Sequence, residues 1–298
     1  MRFRFQGIEV GHTGRRPGQI LIENFDPGYP EVRDNDSPRE GADGTVPGRD
    51  FLGSTTLSFE LASNRRTMVQ ARETLREFLR AWRSESVRSD SGALVPLEFQ
   101  AVDDPSWRRV YGRPRRSDNP DFGVLMRQGV GRVAVEFEVM DVRAFAGGED
   151  GEQSTTVRQF EQGVTGGGWT FPISFPVSGA AIAGVREGFL SVGGEVATPV
   201  VIEFHGPGRR LALDGNRGWH VGLRDDVTLA YDEVITIDPL AGTVRDNFGE
   251  NRFSALDKRT PLDGVQLPPG NENVFFSGFD STNTAHAVVR WRDAFASL

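Results

Sequence analysis

The chain has 298 residues, a formal net charge of −8 and no cysteine. That length accommodates two domains of ordinary size, each with its own core. The charge argues against a general nucleic-acid binder, whose phosphate contacts need a basic field. The missing cysteines exclude thiol nucleophiles, zinc–thiolate sites and disulfides. Hydrophobic residues at 37%, with 21 Phe, support a packed interior, while 36 Gly and 17 Pro suit short strands joined by tight turns. The cations are almost all arginine, Lys258 being the one lysine.

In chain order, Met1–Phe5 alternates from the start and has no apolar h-region, so no signal peptide and no Sec export are expected. No apolar run approaches the ~20 residues of a membrane span. Residues 2–6 and 18–25 read as strands. From Asp26 to Gly48 the text "DPGYPEVRDNDSPREGADGTVPG" is rich in Pro, Gly and acids and reads as a long excursion, of the kind that is usually functional. Alternation returns at 54–62, with Leu57, Phe59 and Leu61 on one face. A single helix follows at 64–84, with Ser63 or Asn64 able to cap it. Met68, Ala71, Leu75, Phe78 and Trp82 form its apolar stripe at helical spacing. Arg65, Arg66, Arg72, Arg76, Arg80 and Arg83 cover the remainder, which reads as a solvated polar face.

Strands at 94–100, 108–113 and 131–143 complete the first half, the last with Val133, Val135, Phe137 and Val139 inward. The Gly-rich acidic stretch 144–153 marks a domain boundary. Beyond it only strands are expected, near 154–160, 168–175, 185–192, 196–205, 209–213, 217–223, 226–230, 233–238, 273–279 and 284–292. Such spacing suggests a β-sandwich. In the last strand Ala285, Ala287, Val289 and Trp291 share one face, so the segment before the final residues is expected to be buried.

No motif for chemistry survives its context test. Gly129-Val130-Gly131-Arg132 has the letters of a dinucleotide fingerprint but runs into strand alternation instead of a helix. Asp34-Asn35-Asp36 begins like a calcium loop, yet Pro38 and a missing turn glycine break the pattern; Asp34, Asp36, Glu40 and Asp43 read as a solvated acidic loop. Asp225, Asp226, Asp232 and Glu233 offer carboxylates for glycoside hydrolysis, but adjacent acids on a strand face opposite ways, and turn residues are the simpler reading. His205, His220 and His286 lie too far apart for a metal site by spacing. Trp169, Trp219 and Trp291 could stack on sugar rings, although tryptophans in strands are more often core. No catalytic, cofactor-binding or metal-binding residue is therefore assigned, and no enzyme is expected.

The second half carries a recognisable series: "SVGGEVATPVVIEFHGP" (191–207), "DEVITIDPLAGTV" (232–244) and "LPPGNENVFFSGFDSTNTAHAVVRWRDAFASL" (267–298). With "FEVMDVRAFAGG" (137–148), this order resembles the siphovirus-type tail component family, the distal tail proteins of long non-contractile phage tails, especially of phages infecting actinobacteria. The resemblance implies a mainly β fold, with a ring-forming N-terminal β domain over 1–147 carrying the helix, and a galectin-like β-sandwich over 148–298. It implies a homo-oligomeric ring, usually of six copies, at the distal end of a virion tail. Its partners would be the tail tube protein and the tail-tip or baseplate hub proteins, with DNA passing through the lumen and no cofactor, membrane or sequence-specific nucleic-acid contact. A reading from a different class is a host cell-wall carbohydrate-binding module, with a host surface glycan as partner.

Overall fold

The computed structural model describes residues 1–298 except 14–15, 18, 86–88, 90–92, 102–103, 121–122, 149–154, 162–185 and 297–298. The expected strand at 168–175 and Trp169 lie outside the described residues. The chain divides into two compact units, Met1–Glu152 together with Phe295–Leu298, and Gln153–Ala294.

In the first unit, alternating sequence makes the strands β1 (Arg2–Phe5), β2 (Ile8–Thr13), β3 (Ile20–Asp26), β4 (Thr55–Ser63), β5 (Val95–Gln100), β6 (Arg108–Ser117) and β7 (Arg132–Val139). They form one antiparallel sheet in the order β2–β1–β5–β6–β7–β4–β3. Because strand side chains alternate between faces, Phe3, Phe5, Leu57, Phe59, Leu61, Val135 and Phe137 all enter one buried cluster. The sole α-helix among the described residues, α1 (Met68–Trp82), closes that face. Trp82 lies 4.7 Å from Phe5, 5.4 Å from Phe78 and 6.0 Å from Phe137, centroid to centroid, and Phe3 lies 4.7 Å from Phe59. Rings at these separations add attraction beyond their buried area.

The helix starts later than the sequence suggests. Its cap is Thr67, whose hydroxyl accepts from the Gln70 amide at 3.3 Å, in place of Ser63 or Asn64. Ser63 is committed elsewhere: its buried hydroxyl donates to the Gly129 carbonyl at 3.0 Å and accepts from the Gly131 amide at 2.7 Å. Asn64 donates its amide to the Gln19 carbonyl at 2.8 Å. Gly129 has φ +87°, and a Cβ there would sit 2.0 Å from the Arg65 carbonyl oxygen. The glycines before β7 thus serve close chain packing, and no helix follows them. Met68, in the first turn, is 39% exposed, so the buried stripe runs from Ala71 to Trp82 and includes Thr74 and Leu79.

The excursion between β3 and β4 is a hairpin arm. Val32–Arg33 pairs antiparallel with Phe51–Leu52, and Ser37–Pro38 with Thr45–Val46. The Arg39 amide donates to the Gly44 carbonyl at 3.0 Å, closing the tip. At the root, Gly28 adopts φ +61°, and a Cβ would lie 2.4 Å from the Thr56 carbonyl oxygen, so only glycine fits. Every residue from Glu31 to Leu52 is exposed.

The second unit is a β-sandwich. One sheet runs β8 (Thr156–Glu161), β16 (His286–Trp291), β10 (Val201–His205), β13 (Val234–Asp238), β14 (Thr243–Asp246). The other runs β9 (Glu187–Val192), β15 (Gly270–Phe279), β11 (Gly208–Gly215), β12 (His220–Gly222). Ile202, Phe204, Ile235, Ala287 and Val289 from the first sheet meet Leu190, Leu211, Leu213, Val274 and Phe276 from the second in one core. Phe204 and Phe276 stack across it at 6.4 Å. The strand β16 pairs with both β8 and β10, so it is interior to its sheet. Ala285, Ala287, Val289 and Trp291 face inward as the alternation requires.

Two outcomes follow from this packing. Trp82→Ala leaves a cavity among three aromatic rings and is expected to cost about 3–5 kcal/mol, measured by chemical denaturation; a change within about 0.5 kcal/mol would contradict the packing described. Removing residues 284–298 takes out an interior strand, and calorimetry is expected to lose the cooperative transition of the second unit while the first unit's persists at a lower midpoint, since Phe295 leaves its core too.

Candidate assembly surface

The acids considered for catalysis do not converge. Asp225 pairs with Arg210 at 2.8 Å, Asp226 with Arg224, and Glu233 with Arg252. The exposed Asp232 accepts from Asn247 through its backbone carbonyl at 3.0 Å. Three of the four carboxylates are thus each held by a different arginine. Among the described residues no group of three or more His, Asp or Glu is arranged to hold a metal. Asp34, Asp36, Glu40 and Asp43 sit on the arm, where the Asp36 carboxylate accepts from the Gly48 amide at 2.8 Å. Among the described residues no helix is long and apolar enough to cross a membrane.

Of the candidate tryptophans among the described residues, Trp219 and Trp291, neither is exposed. Trp291 is 3% exposed and Trp219 packs, half-buried, against the sandwich core. Exposed rings of the second unit include Tyr231, Phe248 and Phe253, and, on the β9 and β15 strands of one sheet, Phe189, Phe275 and Phe279. The Arg186 guanidinium lies over Phe275 at 5.1 Å and that of Arg209 over Phe279 at 5.4 Å. Cations over ring faces keep such apolar groups tolerable in water.

The structure brings together two histidines that sequence spacing kept apart. His205 on β10 and His286 on β16 are register partners, and their rings stack at 4.2 Å with 12° between planes. The Glu203 carboxylate lies 3.3 Å from His205 Nε2 and also takes Arg290. Burial, followed by the repulsion of His286, pushes the His205 imidazole below its ordinary value. His220 is separate, with Asp214 at 2.7 Å and Asp257 at 3.3 Å.

Two surfaces of the first unit stand out by their exposure. The arm exposes Tyr29 at its root and Val32, Val46, Phe51 and Leu52 along its length, interspersed with acids. The outward face of α1 presents Arg72, Arg76 and Arg80 one turn apart. With Arg83, Leu79 and Pro120 they line an open groove of about 620 Å³. Arg83 is anchored to Ser117, donating to its hydroxyl at 2.7 Å and its carbonyl at 3.0 Å. Among the described residues Arg76 and Arg80 enter no hydrogen bond or ion pair.

No family model matches this sequence, and no curated protein does. Among solved structures the fold is similar to that of the SPP1 Dit (gp 19.1) protein, described as a paradigm of the hub adsorption apparatus in Gram-positive infecting phages. The identity is 13%, the TM-score 0.56, and the match covers 99% of this chain and 98% of that one. A chain of the phage P2 baseplate in its activated conformation with Ca is also similar, at 10% identity over 94% of this chain and 92% of that one, with a TM-score of 0.49. At this identity the likeness to SPP1 Dit establishes the fold of the whole chain.

The histidine pair makes a checkable statement about pH. A folded-state pKa below the ordinary histidine value means the unfolded chain binds the proton more readily. The second unit is therefore most stable above about pH 6.5 and loses stability as pH falls through the lowered His205 value. Thermal unfolding between pH 8 and 5 is expected to show that decline, and His205→Gln is expected to flatten it; an unchanged slope in the variant would place its origin elsewhere.

Proposed function

We propose that this chain is a structural subunit of a phage tail tip: a distal tail hub protein that closes into a ring joining the tail tube to the tail-tip or baseplate proteins. The observation that carries the reading is the two-unit fold shared, over nearly the full length of both chains, with a protein described as a phage hub. The ring is built by the N-terminal domain, residues 1–147, usually in six copies, with DNA passing through its lumen. The domain over 148–298, a galectin-like sandwich, projects outward. The protein acts in the virion, without catalysis or cofactor.

The arm supports this reading. Twenty-odd residues of exposed backbone with apolar side chains in water gain little on their own, since a lone two-stranded hairpin is marginally stable at best. Such a device is explained when it reaches another chain. In a closed ring each subunit offers one donating and one accepting patch, and the arm is the donor.

A second reading has one observation in its favour. The exposed rings of Phe189, Phe275 and Phe279 could stack on sugars of a host surface glycan, as exposed aromatics do in binding modules. Retention of the purified chain on host cell wall, abolished by Phe275→Ala with Phe279→Ala, would support it.

The assembly reading is tested by mass measurement in solution across a range of concentrations. The full chain is expected to form a discrete oligomer, and a version with residues 31–52 replaced by a short Gly/Ser link is expected to remain monomeric. A full chain that stays monomeric at high concentration contradicts the ring. A shortened chain that assembles as well as the parent leaves the ring but removes the arm from it.

A further inference from the structure

The arm needs an acceptor, and the first unit carries a surface complementary to it in charge, apolar content and spacing. Between Glu31 and Asp50 the arm bears six carboxylates against three arginines. Between Arg65 and Arg83 the chain bears six arginines against two glutamates. Exposed patches of opposite sign on a protein with net charge −8 are the pattern that steers association and fixes register.

The spacing agrees. Arg72, Arg76 and Arg80 stand four residues apart on α1, which places them about 6 Å apart along the helix axis. Acids two residues apart in extended chain, as Asp34 and Asp36 are in sequence, stand about 6.7 Å apart. An extended segment at this spacing can set carboxylates against successive guanidiniums, the charge-assisted kind of contact, with Asp34 free to turn outward while Asp36 also holds the Gly48 amide. The apolar content agrees too. Val69, 69% exposed, and Met68, 39% exposed, lie at the start of the same helix and border the arginines. The arm carries Val32 and Val46, 58% and 51% exposed, beside its acids.

Within one chain no hydrogen bond or ion pair joins the arm to Arg76 or Arg80, among the described residues. The acceptor is thus left open for another copy.

We propose that the arginine face of α1 seats the hairpin arm of a neighbouring copy, so that the acidic arm of each subunit lies along the helix of the next. This rests on the ring reading above and adds its docking surface. The interface is heterologous, donor to acceptor, which is the geometry that closes a ring. It is salt-sensitive, because the pairs are partly solvated and screening acts over about 10 Å at 0.1 M ionic strength.

The experiment uses the full chain and two charge-reversed versions. One carries Arg76→Glu and Arg80→Glu. The other carries Asp34→Arg, Glu40→Arg and Asp43→Arg, sparing Asp36 because it holds the Gly48 amide. All five positions are exposed, and unchanged unfolding midpoints confirm that both versions fold. Mass measurement is expected to show the parent as a discrete oligomer and each version alone with its apparent dissociation constant raised about tenfold or more. An equal mixture is expected to regain the oligomer. The basic arm of one version then meets the acidic helix of the other, and the acidic arm meets the basic helix, giving an alternating ring with an even number of copies.

If the parent assembles and the helix version assembles equally well, this acceptor is overturned and the ring reading stands. If each version fails alone and the mixture does not recover, the two patches do not meet and the proposal is overturned. If the helix version assembles as the parent does but loses binding to a short duplex DNA, the arginines serve phosphate and not the arm. A parent that never assembles overturns the ring reading and this proposal together.

Discussion

The tilted packing of Trp82 against Phe5, ring centroids 4.7 Å apart, is the contact on which the first unit depends. It pins the last turn of α1 to the first strand, and Phe78 and Phe137 complete the cluster around it. Once that face of the helix is buried, helical periodicity turns Arg76 and Arg80 to the outside. The same aromatic layer holds Leu57, Phe59 and Leu61 of β4, and so fixes the root from which the arm departs. The two surfaces read here as donor and acceptor are thus both held by one core, and their separation is set by it. Assembly through them needs no change of fold.

A different constraint governs the second unit. A sandwich of short strands holds its layers together only if each strand finds partners on its flanks, since unpaired edges invite wrong pairing. β16 solves this by lying between β8 and β10, which is why a segment so near the end of the sequence is so apolar. The chain then places Phe295 in the first unit, beneath the Arg108 guanidinium at 3.5 Å. The apolar density of the last residues therefore serves two cores.

Much of this was legible in the sequence, because period-two alternation and helical spacing report burial directly. Val133 through Val139, the stripe of α1 from Ala71 to Trp82 and the inward set of β16 sit where their patterns place them, Met68 being the exception. The helix cap was misplaced because Ser63 and Thr67 are both competent by type. Only the tertiary hydrogen bonds to Gly129 and Gly131 reveal that Ser63 is already used. The arm reads as a loop because its ladders are two residues long and its composition is polar; Asp43-Gly44 was the one local signal of a hairpin turn. The pairing of His205 with His286 follows from strand register across 81 positions of sequence, and no local pattern carries it. The exposed rings at Phe189, Phe275 and Phe279 escaped for the same reason that tryptophans attracted attention: residue type suggests stacking, but only the sheet decides which face is outside.

The proposed assembly rests on a fold similar to that of SPP1 Dit and on two exposed surfaces of opposite charge. Electron microscopy of the purified full chain at high concentration tests this most directly. The account predicts closed rings of uniform diameter with a central opening and a second layer of density outside it. Isolated two-lobed particles at every concentration, or open strings of variable length, would contradict it.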